Sequence, residues 1–175
     1  EYFSNRSLRF QIQEKISAKD LHGMIALYQS SSLDNADFEK DRGELIKYIF
    51  LAGSGGAEFF ETLLISKKLR NLDKQMVIEL LATTNGPLKK IKMSDFFEFD
   101  HATKQLLGFR IDRCDQSAIQ KYLSELENSI SLDLLKQIED YFPSYSRTKQ
   151  IVKVIDDLIA YTNELEHLNT ELINC

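Results

Sequence analysis

The chain has 175 residues, enough for one domain of ordinary size or two small ones. Hydrophobic residues make up 43 % and charged residues 28 %, near the globular average, which excludes wholesale disorder and collagen-like repeats. The net charge of -5 argues against a general nucleic-acid coat while allowing a local basic patch, and two cysteines, Cys114 and Cys175, are too few for a disulfide framework or a Cys-rich zinc site.

The residue balance selects the fold class. There are 24 Leu and 16 Ile but only 3 Val, 7 Thr, 7 Gly and 2 Pro. A sheet protein spends more on β-branched residues and on Gly/Pro turns. Leu, Lys, Glu and Gln lose little rotamer freedom in a helix. The expectation is an all-α chain: a helical bundle, or a short stack of antiparallel helical hairpins, with about eight helices and a long C-terminal one. No apolar run approaches the roughly 20 residues that span a bilayer. No signal peptide is visible, and Glu1 in place of Met suggests an excised or processed chain. An intracellular, cytoplasmic protein is the default expectation.

In chain order, Leu8, Ile12 and Ile16 share one helical face over residues 4–16, although the alternation Leu8, Phe10, Ile12 also fits a short strand. Ser17 with Asp20 reads as a capping-box start for a helix burying Leu21, Met24, Ile25 and Tyr28. Residues 30–37 form a polar loop. Asp37 opens a third helix, with Leu45, Ile46, Ile49 and Phe50 inward, that stops at Gly53. A helix with Phe59, Phe60, Leu63 and Leu64 follows, then another over 73–83 with Met76, Val77, Leu80 and Leu81. Asn85-Gly86-Pro87 is a strong turn. From 87 to 113 periodicity fails and Phe96, Phe97, Phe99 and Phe109 crowd together; a helix over Asp100–Leu107 ends at Gly108. Ser117 with Gln120, and then Ser131, cap two further helices, the second burying Leu134, Leu135 and Ile138 before Pro143. The last helix covers about 146–173. A single domain over 1–175 is expected, and 87–94 is the one candidate boundary within it.

Three features invite a chemical reading. Gly53-Ser54-Gly55-Gly56 precedes a helix, whose N-terminus suits an anion. A phosphate loop wants a strand before it and Gly-Lys-Ser/Thr after it. Here Ala57 and Glu58 follow, so a tight turn between helices is the better reading. His22, His101 and His167 are scattered and form no zinc-ligand spacing. His101 lies among Asp95, Glu98 and Asp100, where acids favour the start of a helix. No nucleophile motif joins His101, Asp112 and Cys114. No catalytic residue, metal or cofactor is expected, and an enzyme assembled from scattered acids has no support.

Charge is unevenly spread. Lys67, Lys68, Arg70, Lys74, Lys89, Lys90 and Lys92 face only Asp73 and Glu79, so this window carries +5 and the rest of the chain -10. Such a patch suits an acidic protein, anionic lipid or a nucleic-acid backbone. Lysines near helix C-termini also complement the helix dipole.

The C-terminal helix carries a heptad. Ile151, Leu158, Leu165 and Leu172 recur every seven residues, with Ile155, Thr162 and Asn169 between them. This is an a/d seam with Leu mostly at d and two polar a positions, and in parallel dimers a buried Asn at a costs stability but fixes register and strand number. Val152, Val154, Ile159 and Tyr161 flank its first half, which therefore reads as buried in the domain. In the second half Glu164, Glu166, His167 and Glu171 narrow the stripe, leaving Leu158, Thr162, Leu165, Asn169 and Leu172 as an interface seam.

The stretch Asp20 to Leu69, with its Ala52-Gly53-Ser54 turn, resembles a hairpin in the helical domain of vitellogenin-like lipid transfer proteins. It covers under a third of the chain, the later helices do not follow, and no functional residue is carried over. The function expected from the residues is non-enzymatic: an adaptor, scaffold or assembly domain. Its partner would be another protein with an acidic or helical surface, or a second copy meeting the C-terminal helix. Lipid or nucleic-acid binding through 67–92 is the alternative.

Overall fold

The computed structural model describes residues 2–174, with side chains from Asn5 onward; Cys175 lies outside the described residues. The protein is all-α: 83 % is helical, with ten α-helices and no strand among the described residues. The chain falls into two compact units, residues 1–119 and 120–175.

The first unit opens with α1 (Tyr2–Ser17) and α2 (Leu21–Gln29). Ile12 is buried while Phe10 is exposed, so the helical period wins over the strand alternation. Ser17 belongs to the end of α1, and the cap of α2 is Asp20, whose carboxylate accepts from the Gly23 N–H at 2.9 Å. Lys19 between them has φ of 54°, the left-handed residue that lets the chain reverse there. Residues 31–38 are two 3-10 turns rather than plain loop, and they bury Leu33 and Phe38.

The pair α3 (Glu39–Leu51) and α4 (Ser54–Ser66) is joined by Gly53 at φ of 114°. The glycine run is a packing device. A Cβ on Gly56 would stand 1.9 Å from the Ile49 carbonyl oxygen, so only glycine lets α4 lie on the backbone of α3. Next come α5 (Asn71–Thr83), the single turn α6 (Met93–Phe96) and α7 (His101–Cys114). Helix α7 does not stop at Gly108. It continues through this buried glycine, because Arg110 and Ile111 beyond the expected end face inward, as Leu107 does, and hold the helix against α5.

The expected boundary at 87–94 lies inside the first unit and is anchored from both sides. Arg110 on α7 donates to Leu81 O at 2.8 Å, Gly86 O at 2.9 Å and Pro87 O at 3.2 Å. Glu61 on α4 accepts from the backbone N–H groups of Lys89, Lys90 and Ile91.

Helix α8 (Gln116–Leu126) starts one residue before Ser117. Ser117 therefore does not cap it; its hydroxyl donates to Asp115 Oδ1 at 2.9 Å. The second unit contains the rest of α8, then α9 (Leu132–Tyr141) and α10 (Pro143–Asn174). Ser131 caps α9 as expected, accepting from the Leu134 N–H. Ile138, Tyr141, Phe142 and Tyr145 are buried, but Leu134 is only half-buried and Leu135 is exposed. The Tyr145 hydroxyl lies 2.6 Å from Gln120 Oε1. Helix α10 begins three residues before Ser146, because Pro at the first helical position needs no N–H partner.

Candidate functional site

The basic window folds into several places with different duties. Arg70 is spent inside the first unit. It donates to Tyr28 O at 2.8 Å, Ser30 O at 3.0 Å and Asp34 Oδ1 at 2.8 Å, and its guanidinium lies 4.9 Å from the centre of the Tyr28 ring. Lys74 is paired with Asp100 at 2.6 Å. That bond, with the Thr103 backbone N–H, holds the Asp100 carboxyl down at about 2. The side chains of Lys67, Lys68, Lys89, Lys90 and Lys92 are exposed. Lys67 closes α4 with φ of 59°.

The backbone around Lys89–Ile91 turns three N–H groups toward one anion, and the protein supplies that anion itself. Glu61 is 1 % exposed, with Oε1 at 3.0 Å from both the Lys90 and Ile91 nitrogens and Oε2 at 3.3 Å from that of Lys89. The nest is filled by a carboxylate. The histidines do not converge on it. His167 pairs with Glu171 at 3.1 Å on α10, and His22 is exposed on α2. His101 and Cys114 stand at opposite ends of α7, about 20 Å apart by helical rise, too far for a catalytic pair. Cys114 has a lowered thiol pKa because the Gly86 backbone hydrogen-bonds to it. Among the described residues no three His, Cys, Asp or Glu side chains form a metal-holding group. No helix among them is long and apolar enough to cross a membrane.

Helix α10 is the outstanding feature. It runs for 32 residues, and only its N-terminal Tyr145 is buried. Every residue from Arg147 to Asn174 is exposed. The seam residues Ile151, Ile155, Leu158, Leu165 and Leu172 are 49–74 % exposed. The expectation that the first half is buried in its own domain is therefore corrected. Its flanking residues Val152, Val154, Ile159 and Tyr161 are as open as the seam itself. The sequence showed an apolar helix wider than a coiled-coil stripe, and the domain core was the nearest cover to infer. Only the first turn, where Tyr145 is anchored by Gln120, is taken up in that way.

The sequence pattern explains why the helix runs unbroken. Residues 151–173 contain no Gly or Pro, and Thr162 and Thr170 hydroxyls donate to the carbonyls four residues back, Leu158 and Glu166. The apolar residues fall on one side. The other side carries Lys153, Asp156, Asp157, Asn163, Glu164, His167 and Glu171. An exposed amphipathic helix of this kind presents a ready apolar face for another helix.

No protein family, curated protein or solved structure matches the chain, so the resemblance over 20–69 gains no support from these comparisons.

Proposed function

We propose that this chain is a non-enzymatic protein–protein interaction module, an adaptor or scaffold, whose working surface is the apolar face of α10. One observation carries the reading: eleven large apolar side chains between Ile151 and Ile173, each 49–75 % exposed, lie along about 35 Å of a single helix. A soluble monomer rarely leaves so large a contiguous apolar patch open to water. A standard interface takes about 800 Å² from each partner, and eleven such side chains supply area of that order.

Affinity capture from a host extract, quantified by mass spectrometry, tests this. The bait is the full chain, compared with Leu165→Asp/Leu172→Asp. Both residues are exposed, so the substitutions should leave the fold of the single chain, read by circular dichroism and by melting at high dilution, intact. Material bound by the parent and lost from the variant is the expected result. Equal capture by both baits overturns the reading.

A further inference from the structure

The heptad positions of α10 say what covers it. With Ile155, Thr162 and Asn169 at a, the d positions are Ile151, Leu158, Leu165 and Leu172. The e positions are then Val152, Ile159, Glu166 and Ile173, and the g positions Val154, Tyr161 and Leu168. Six of these seven flanking residues are apolar or aromatic. Positions b, c and f from Lys153 to Asn174 hold no large apolar residue.

Width decides the number of neighbours. In a two-stranded coil a and d are covered by the partner, while e and g are usually charged and stay at the rim. One partner helix laid on α10 would leave much of Val152, Ile159, Val154 and Leu168 in water. Burying both flanks takes a neighbour on each side, as in a bundle.

Polarity decides who the neighbours are and how they run. Thr162 is self-sufficient: its hydroxyl donates to Leu158 O at 3.0 Å within the helix. Asn169 is different, because a buried side-chain amide needs its own partners. An antiparallel helix places a opposite d, and every d residue here is Ile or Leu, so each heptad register would bury the amide against an aliphatic side chain. A parallel copy in register puts Asn169 beside Asn169, where amides pair. The same alignment puts each g beside the following e of its neighbour. Val154 then meets Ile159, Leu168 meets Ile173, and Tyr161 meets Glu166. No like charges oppose one another across the seam.

Building on the interaction reading above, we infer that α10 assembles with further copies of this chain, parallel and in register, as a bundle of at least three strands. The occupant of each apolar face is the same face of two neighbouring copies.

The test uses the purified full chain in a Cys114→Ser/Cys175→Ser background, with no other protein present. Sedimentation equilibrium should give three or more chain masses, and Leu165→Asp/Leu172→Asp should return one. Adding Leu172→Cys should yield disulfide-linked chains under mild oxidation, as parallel copies bring these d positions together. A two-chain mass overturns the strand number. Linkage of Ile151→Cys chains to Leu172→Cys chains, with no Leu172→Cys self-linkage, overturns the parallel arrangement. A strict monomer overturns self-assembly altogether. If that monomer still captures a different protein through Leu165 and Leu172, the broader reading stands while this inference falls.

Discussion

Arg42 Nε lies 3.1 and 3.0 Å from the two carboxylate oxygens of Asp73, and the two side chains are 1 % and 2 % exposed. The pair joins α3 to the first turn of α5, where the helix dipole also favours an acid. Further hydrogen bonds hold the pair in place. Arg42 Nη1 donates to Leu33 O at 2.7 Å and Asn35 O at 2.9 Å, and the Tyr28 hydroxyl donates to Asp73 Oδ2 at 2.8 Å. Burial, and then the hydrogen bond to Asp73, push the Tyr28 phenol well above its ordinary pKa. The network thus fixes the 3-10 turns of 31–38 from inside.

Breaking that pair on one side leaves a buried charge without its partner. Asp73→Ala should cost about 3–5 kcal/mol in denaturant unfolding. Tyr28→Phe removes one hydrogen bond and should cost about 1–3 kcal/mol. Replacing both ions, Arg42→Met with Asp73→Leu, should cost clearly less than the two single losses added together. An additive result would show the two side chains to be energetically independent.

Glu61 gives a second prediction. Glu61→Ala removes the acceptor of three backbone N–H groups, that of Ile91 buried and those of Lys89 and Lys90 partly so. Amide exchange at Lys90 and Ile91 should accelerate before that of α5. Stability should fall by at least the roughly 1–3 kcal/mol of one orphaned buried donor, the Ile91 N–H. Unchanged exchange at these two amides would show that Arg110 alone secures the turn.

These networks mark where sequence reading ran out. The helices were legible because Leu and Ile recur at helical spacing and Ser131, Gly53 and Gly86 sit where caps and turns need them. Asp20 stands at N3 of a start at Ser17, but α1 runs on through Ser17 and Asp20 itself caps the Gly23 N–H of α2. Gly108 reads as a stop because propensity alone penalises glycine, yet α7 runs through it to Cys114 with Gly108 buried. Arg70 read as surface charge. Its partners Tyr28, Ser30 and Asp34 are roughly 40 residues away, and no local period reports such a distance. The seam of α10 was legible residue by residue; its exposure was not, because periodicity locates an apolar face without saying what covers it.

Gly56→Ala should be among the most damaging single substitutions in the first unit. The added methyl meets the Ile49 carbonyl at 1.9 Å and must drive α4 away from α3. Overpacking a tight contact costs about 1–3 kcal/mol, and more where backbone blocks the way. Gly55→Ala is the control: its nearest obstacle is the flexible Leu21 side chain at 3.3 Å. A melting temperature that falls equally in both would remove the argument for close helix approach.

The Lys74–Asp100 bridge predicts a small acid-side loss of stability. Asp100 has its folded pKa lowered from 3.8 to about 2, by the Lys74 bond first and the Thr103 N–H second. A depressed acid stabilises the fold above the unfolded pKa and loses that contribution as pH falls through the folded one. The loss therefore runs from about pH 4 to pH 2. Both side chains are substantially exposed, so solvent screening keeps the contribution to about 0–1 kcal/mol. In Lys74→Met, a carbon-detected titration should show Asp100 moving back up toward the ordinary carboxylate range. An unmoved titration would assign the shift to the Thr103 cap.

The last prediction separates fold from assembly on one helix. Leu158 is 59 % exposed, so Leu158→Ala opens no cavity in a core of the single chain. At high dilution its melting should match the parent, where a buried leucine would cost about 2–5 kcal/mol. At high concentration the two should diverge, because only the assembled parent gains stability by mass action. Asn169→Leu should act in the opposite sense. Replacing a paired amide in the seam by an aliphatic side chain should tighten association while register loosens. Melting curves over a hundredfold concentration range read both effects at once. Concentration-independent melting in all three proteins would mean that α10 does not self-assemble. A penalty for Leu158→Ala that persists at dilution would mean that the single chain buries this leucine after all.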